Sequence, residues 1–128
     1  MKILAVDDEP GILRIMRSIC HQHDITTETS PVKAAERIRK ETYDVFIVDY
    51  QMPYKNGLEL LKDIKDVYEN KDYVSIFCTS NESVYLYKDE LISGLFDFFI
   101  EKPFEIDNFL ETLDHAGKKL EYLRNEVL

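Results

Sequence analysis

Apolar residues reach this chain in two rhythms. Short unbroken runs alternate with stretches in which they recur every three or four positions. Unbroken runs of this length read as strands buried on both faces, and the three-to-four spacing reads as amphipathic helices. Lys2-Ile3-Leu4-Ala5-Val6 is the first run and stops abruptly at Asp7-Asp8-Glu9-Pro10-Gly11. Ile12, Ile15, Met16, Ile19 and Cys20 then keep a helical period. Asp24 to Thr29 reads as a short polar strand rich in threonine, suited to a sheet edge. Ser30-Pro31 opens a second helix, with serine as N-cap and proline in the first turn, and Ala34, Ala35 and Ile38 facing inward as far as about Glu41.

The strongest run is Val45-Phe46-Ile47-Val48, led by Asp44 and followed at once by Asp49. A loop with Pro53 and a turn signal at Asn56-Gly57 comes next. A third helix follows, in which Leu58, Leu60, Leu61, Ile64 and Val67 form a wide apolar face while Glu59, Lys62, Asp63 and Lys65 face water. Tyr73 to Cys78 is a fourth strand ending in Thr79-Ser80-Asn81. Ser80 or Asn81 then caps a fourth helix with Val84, Tyr87, Leu91 and Leu95 inward. Phe96 to Ile100 is the fifth strand and delivers Glu101-Lys102-Pro103. The last helix begins near Glu105 and presents Ile106, Phe109, Leu110 and Leu113 inward, then Leu120 and Leu123. Five strands alternating with five helices predict an α/β fold of right-handed βαβ crossovers: one three-layer domain over residues 1–128 with a parallel sheet inside.

Composition narrows the function without naming it. A net charge of −9 disfavours a nucleic-acid surface. No apolar run approaches the roughly 20 residues that span a bilayer, and no signal-peptide pattern precedes the first strand. Cys20 and Cys78 lie within apolar patterns and read as buried thiols, so a reduced, cytoplasmic setting is expected.

The chemistry gathers where the strands end. In a parallel sheet the carboxyl ends share one edge, and ligands bind beyond it. That edge collects Asp7, Asp8, Asp49, Thr79 and Lys102: three carboxylates, one hydroxyl and one ammonium. Oxygen-only, carboxylate-rich surroundings suit Mg²⁺, and a lysine and a hydroxyl beside them suit an anion arriving with the metal, such as a phosphoryl group. Asp49, at the centre, is the natural nucleophile, with the first-strand acids holding Mg²⁺ and Lys102 neutralising phosphoryl oxygens.

This constellation resembles the receiver domain of two-component response regulators, of the chemotaxis-regulator type, over essentially the whole chain. The carriers are Ile3-Leu4-Ala5-Val6-Asp7-Asp8-Glu9-Pro10, the segment from Val48-Asp49 through Met52-Pro53 to Asn56-Gly57-Leu58, then Thr79, Phe99 and Lys102-Pro103. The resemblance implies a flavodoxin-like (βα)5 sandwich with strand order 2-1-3-4-5 and a cis peptide before Pro103. It implies that Asp49 accepts a phosphoryl group from a histidine kinase or a histidine phosphotransfer protein. Mg²⁺ would be held by Asp8, Asp49 and the Gln51 backbone carbonyl, with Asp7 acting through water. Thr79 and Phe99 would be the switch pair, altering the face of helix 4, strand 5 and helix 5 for an output domain or partner protein to read, with a phosphorylation-dependent homodimer as one outcome. Such a domain catalyses only its own phosphorylation and dephosphorylation and is no enzyme in the ordinary sense. Gln51 and Asn81 would flank the approach of hydrolytic water.

Two features depart from that pattern. Thr79 to Lys102 is 23 residues, one more than the family usually has, with Gly94 a position early and Leu95 where a glycine is usual. Phe99 lacks the hydroxyl of the commoner tyrosine. The rival functions fit less well. An aspartyl phosphohydrolase wants a second acid where Gln51 stands. A flavin carrier wants Ser, Thr and Gly donors where Asp7-Asp8-Glu9 would repel phosphate. A docking module that has lost phosphorylation would keep the fold without needing the site.

Taken singly, the pieces have plainer readings. Asp7-Asp8 can be a solvated turn, Lys102 a surface lysine, and Thr79 and Ser80 helix caps. His21, His23 and His115 read as surface residues. Tyr54, Tyr68, Tyr73, Tyr85 and Tyr87 read as half-buried rings with wet hydroxyls, and Tyr85-Leu86 with Phe96 and Phe98 as a candidate partner surface. Leu113, Leu120 and Val127 recur at seven near the end, so residues 114–128 read as a docked helix end or as the start of a linker to an output domain.

Overall fold

The computed structural model describes residues 1–80 and 90–125. Asn81, Val84, Tyr85, Leu86, Tyr87, Val127 and Leu128, and the side chain of Leu91, lie outside the described residues. The strands are β1 (Lys2–Val6), β2 (Asp24–Glu28), β3 (Val45–Val48), β4 (Val74–Ser80) and β5 (Phe98–Lys102). Between them run α1 (Pro10–Ile19), α2 (Pro31–Lys40), α3 (Gly57–Val67) and the described turn of α4 (Glu90–Ser93), and α5 (Ile106–Asn125) closes the chain. All pairings are parallel and the order is β2-β1-β3-β4-β5, as expected.

The buried runs explain the three layers. Every residue of β3, and all of β4 up to Thr79, is buried. Successive side chains of a strand point to opposite faces, so each run feeds two cores. Ile3, Ala5, Val45, Ile47, Ile76, Cys78 and Ile100 pack with Leu13 and Met16 of α1 and with Phe109, Leu113, Ala116 and Leu120 of α5. Leu4, Val6, Phe46, Val48 and Phe77 pack with Ala34 and Ile38 of α2 and with Leu60, Leu61 and Ile64 of α3. Fully burying one such aliphatic side chain contributes about 1.5–3 kcal/mol.

Helix ends follow local chemistry. The Ser30 side chain accepts from the Lys33 N–H, and Asn56 and Glu59 form a reciprocal capping box at the start of α3. Gly57 is required there. A Cβ at this position would run into the Asp49 carbonyl and come within 2.9 Å of the Tyr50 Cα, and the Gly57 N–H donates to the Tyr50 carbonyl at 2.9 Å. The launch of α3 is thus pressed against the backbone that carries Asp49.

Several expectations are corrected. β5 begins at Phe98, not Phe96, because Asp97 is used as a bracket: its N–H donates to the Ser75 carbonyl and its carboxylate accepts from the Ser75 N–H at 2.8 Å. Asp44 does the same before β3, accepting from the Lys2 N–H at 2.7 Å. Both acids are gripped by α5, Asp97 by Lys119 and Asp44 by Arg124. Leu95 lies in the turn after α4, although it packs against the second core. On α5, Ile106 and Leu110 are exposed, because the buried stripe is Phe109, Leu113, Ala116 and Leu120. On α1, Ile15 is exposed, and Leu13, Met16 and Cys20 are buried. Tyr68 is fully buried with its hydroxyl satisfied, accepting from the Tyr43 N–H at 2.9 Å and donating to the Glu41 carbonyl at 3.0 Å. Tyr54 is 97% exposed at a φ of 70°.

Candidate functional site

The carboxyl ends of β1, β3, β4 and β5 converge as the alternation requires. Asp7 follows β1 and Asp49 follows β3; both are buried, while Asp8 is exposed. Ligand oxygens of these three residues lie within 4.8 Å of one another. Lys102, the last residue of β5, reaches back across the sheet to hydrogen-bond Asp7 and to stand 3.5 Å from Asp49. The peptide that follows, Lys102-Pro103, is cis.

Burial and crowding set the electrostatics. Asp49 is pushed from 3.8 up to about 6, first by desolvation and next by the charge of Asp7, with a smaller push from Asp8. Lys102 and a hydrogen bond from the Tyr50 backbone work against that rise. Burial pulls the Lys102 ammonium down, but its hydrogen bond to Asp7 and the charges of Asp49 and Asp7 outweigh it, leaving the group above its ordinary value. The pocket therefore holds more negative charge than a single lysine offsets. Such a site favours a bound cation.

Donor chemistry agrees. Three carboxylates, with no imidazole or thiolate in the cluster, match a hard, oxygen-seeking ion such as Mg²⁺. Cys78 lies close enough to feel Asp7, Asp49 and Lys102, but burial drives its thiol up to about 12, so it stays protonated. Cys20 is also a free, buried thiol, raised by burial to about 11.

At the same edge, Thr79 is buried and its Oγ1 has no hydrogen-bond partner among the described residues. A buried hydroxyl left unpaired costs about 1–3 kcal/mol, so an anion supplying the missing acceptor fits this spot. Phe99 is half-buried, its ring 6.0 Å from Phe77 and 6.2 Å from Phe96, and Phe77 in turn meets Tyr50 edge-on at 6.2 Å. A chain of rings thus runs from the residue after Asp49 to the β5 side of the sheet. Gln51 is exposed in the loop after β3.

Asp7, Asp8, Asp49, Thr79 and Lys102 are therefore brought to one edge; Phe99 lies within β5, three residues short of Lys102, Gln51 lies in the loop after β3, and Asn81 is outside the described set. Sequence reasoning gave Ser80 no role beyond capping, yet its Oγ is also buried without a partner among the described residues. Its position, one past a strand-end threonine, was the available signal. Asp44 and Asp97 were also missed as brackets, because their partners are 42 and 22 residues away.

Comparison with known proteins agrees with this geometry. The model of the response regulator receiver domain matches residues 3–114. The transcriptional regulatory protein FlgR of Helicobacter pylori is 30% identical over 131 residues, covering 100% of this chain and 32% of FlgR. Response regulator ArlR of Staphylococcus saprophyticus is 30% identical over 117 residues, covering 88% of this chain and 50% of ArlR. The chain thus spans half or less of these longer relatives, whereas it covers 99% of the chemotaxis protein CheY of Listeria monocytogenes at 27% identity. Among solved structures, the response regulator TrrA of Thermotoga maritima in complex with Mg²⁺ and beryllium fluoride superposes with a TM-score of 0.76 at 30% identity, over 93% of this chain and 97% of that one. A receiver domain from Clostridium thermocellum shares the fold with a TM-score of 0.82 over 95% of this chain and 98% of its own, at 23% identity. With a family model spanning nearly its whole length and the fold to match, the chain belongs to the response regulator receiver domains of two-component signalling.

Proposed function

We propose that this chain is a phospho-accepting receiver and that Asp49 takes the phosphoryl group. Receiver domains of response regulators accept phosphoryl groups from histidine kinases. The observation that carries the reading here is the setting of Asp49: a buried carboxylate with raised proton affinity, sharing its pocket with Asp7 and Asp8 and standing 3.5 Å from Lys102. Lysine this close neutralises an incoming anion that the acids alone would repel.

In the proposed step, an ionised Asp49 oxygen attacks the phosphorus of a donor phosphohistidine. The new O–P bond forms an acyl phosphate as the P–N bond breaks, and the bonding pair leaves with the imidazole nitrogen. Asp49 ionises only above about 6, so a neutral medium supplies the reactive form and an acidic one withholds it. Lys102 stays protonated throughout and offsets charge on the transferred group. Asp8, Asp49 and the Gln51 carbonyl would hold Mg²⁺, with Asp7 acting through water; the bound ion would supply positive charge to the acids and the phosphoryl oxygens. Thr79, with its unpaired hydroxyl, donates to the phosphoryl group, and Phe99 follows it inward along the ring contacts with Phe77 and Phe96. The face of α4, β5 and α5 is then read by an output domain or partner protein.

The test is intact-mass spectrometry after incubation with acetyl phosphate and Mg²⁺. One acid-labile phosphoryl group is expected on the wild type and none on Asp49→Asn. An unchanged mass in the wild type refutes phospho-acceptance and leaves a docking module.

A further inference from the structure

The site holds a second hydroxyl that the proposed reaction has not used. Ser80 ends β4, and its Oγ is buried with no hydrogen-bond partner among the described residues. Side-chain alternation decides which face it occupies. Ile76 and Cys78 belong to the α1/α5 core, and Ser80 continues their parity. Ile3 and Ala5 are followed in the same parity by Asp7, and Val45 and Ile47 by Asp49. Ile100 is followed by Lys102, which lies directly opposite Ser80 in the β4–β5 register. Ser80 therefore shares a sheet face with Asp7, Asp49 and Lys102, whereas Thr79 shares the other face with Phe77 and Phe99.

Height along the strands agrees. Val48 pairs with Phe77, so Asp49 is level with Cys78, and Ser80 stands two residues further out. A group carried on the Asp49 carboxylate projects outward past the strand end, to the level of Thr79 and Ser80. Those two hydroxyls flank that volume from opposite faces of the same strand.

We infer that Ser80 is a second hydroxyl ligand of the phosphoryl group, donating its O–H to a phosphoryl oxygen on the Lys102 side while Thr79 donates from the other. This inference rests on Asp49 as the phospho-acceptor. No covalent bond is made or broken at Ser80, and its proton stays on the hydroxyl. The energetics favour a ligand over a structural role. A buried hydroxyl without an acceptor destabilises the fold, so alanine would serve packing better at this position. Only a bound acceptor reverses that preference.

The experiment compares wild type, Ser80→Ala and Ser80→Thr, with beryllium fluoride plus Mg²⁺ as the phosphoryl mimic and acetyl phosphate as the donor. Loss of one hydrogen bond to a charged group is expected to weaken beryllium fluoride binding in Ser80→Ala about tenfold or more. Mg²⁺ affinity should stay unchanged, and the melting temperature without ligands should be equal or higher. Ser80→Thr, which keeps the hydroxyl, should recover most of the lost affinity. If the wild type is phosphorylated on Asp49 and Ser80→Ala binds beryllium fluoride equally well, the inference is overturned and the phospho-acceptor reading stands. A melting temperature that falls in Ser80→Ala alongside the affinity overturns it too, because Ser80 is then structural. If the wild type gains no phosphoryl group, both fall together.

Discussion

Asp49 should make the folded protein less stable at neutral pH, and removing its charge should raise stability. In the unfolded chain its carboxyl titrates near 3.8, and in the folded pocket near 6. Between those values the folded state holds a proton that the unfolded state has released. Stability therefore falls as pH rises through this window, and the full penalty applies above it. Two units correspond to about 3 kcal/mol at pH 7.5 and about 1.5 kcal/mol at pH 5, where the window is only half crossed. Asp49→Asn keeps the shape without the charge, so chemical denaturation should find it more stable than wild type by about 3 kcal/mol at pH 7.5 and about half that at pH 5. Saturating Mg²⁺ should shrink the difference by stabilising the wild type preferentially, by about 2.7 kcal/mol at a hundredfold excess over its dissociation constant. A variant no more stable than wild type at pH 7.5, or an advantage that ignores pH, would show that the pocket does not strain its central carboxylate.

Two further substitutions probe the scaffold. Gly57→Ala drives a methyl into the Asp49 carbonyl and should cost more than about 2 kcal/mol in denaturant titration, with a parallel loss of Mg²⁺ affinity because the Asp49 backbone must shift. Tyr68→Phe strips one hydroxyl from between the Tyr43 N–H and the Glu41 carbonyl; a loss of about 1–3 kcal/mol with no change in acetyl phosphate reactivity is expected, since this bridge is built into the α2–β3 side away from Asp49.

Much of the molecule was legible because its information is local. Short apolar runs gave most of the strands, two of them ending in acids, and the parallel sheet they imply brings Asp7, Asp49 and Lys102 together however the helices are packed. What escaped is carried by distant partners. Ile106 and Leu110 repeat at a helical period as well as Phe109 and Leu113 do, and only the sheet beneath α5 selects the second stripe. Asp97 sits inside an apolar stretch and looked like part of a strand until its bond to Ser75 ended the pairing. The missing partner of Ser80 was illegible for a related reason: an unpaired hydroxyl is a property of everything around it, and sequence spacing records none of that.

The two acid brackets have a mechanical consequence. Lys119 and Arg124, near the C-terminal end of α5, grip Asp97 and Asp44, and those carboxylates hold the N–H groups of Ser75, second in β4, and Lys2, first in β1. Each ion pair is half-exposed and contributes little in water, about 1 kcal/mol or less. Their placement matters more than their strength. A pull on the end of α5 is delivered to the N-terminal rim of the sheet, where β1 and β4 begin, and reaches neither Asp49 nor Lys102 directly. The fold thus places the grips of α5 at one rim of the sheet and the acids at the other.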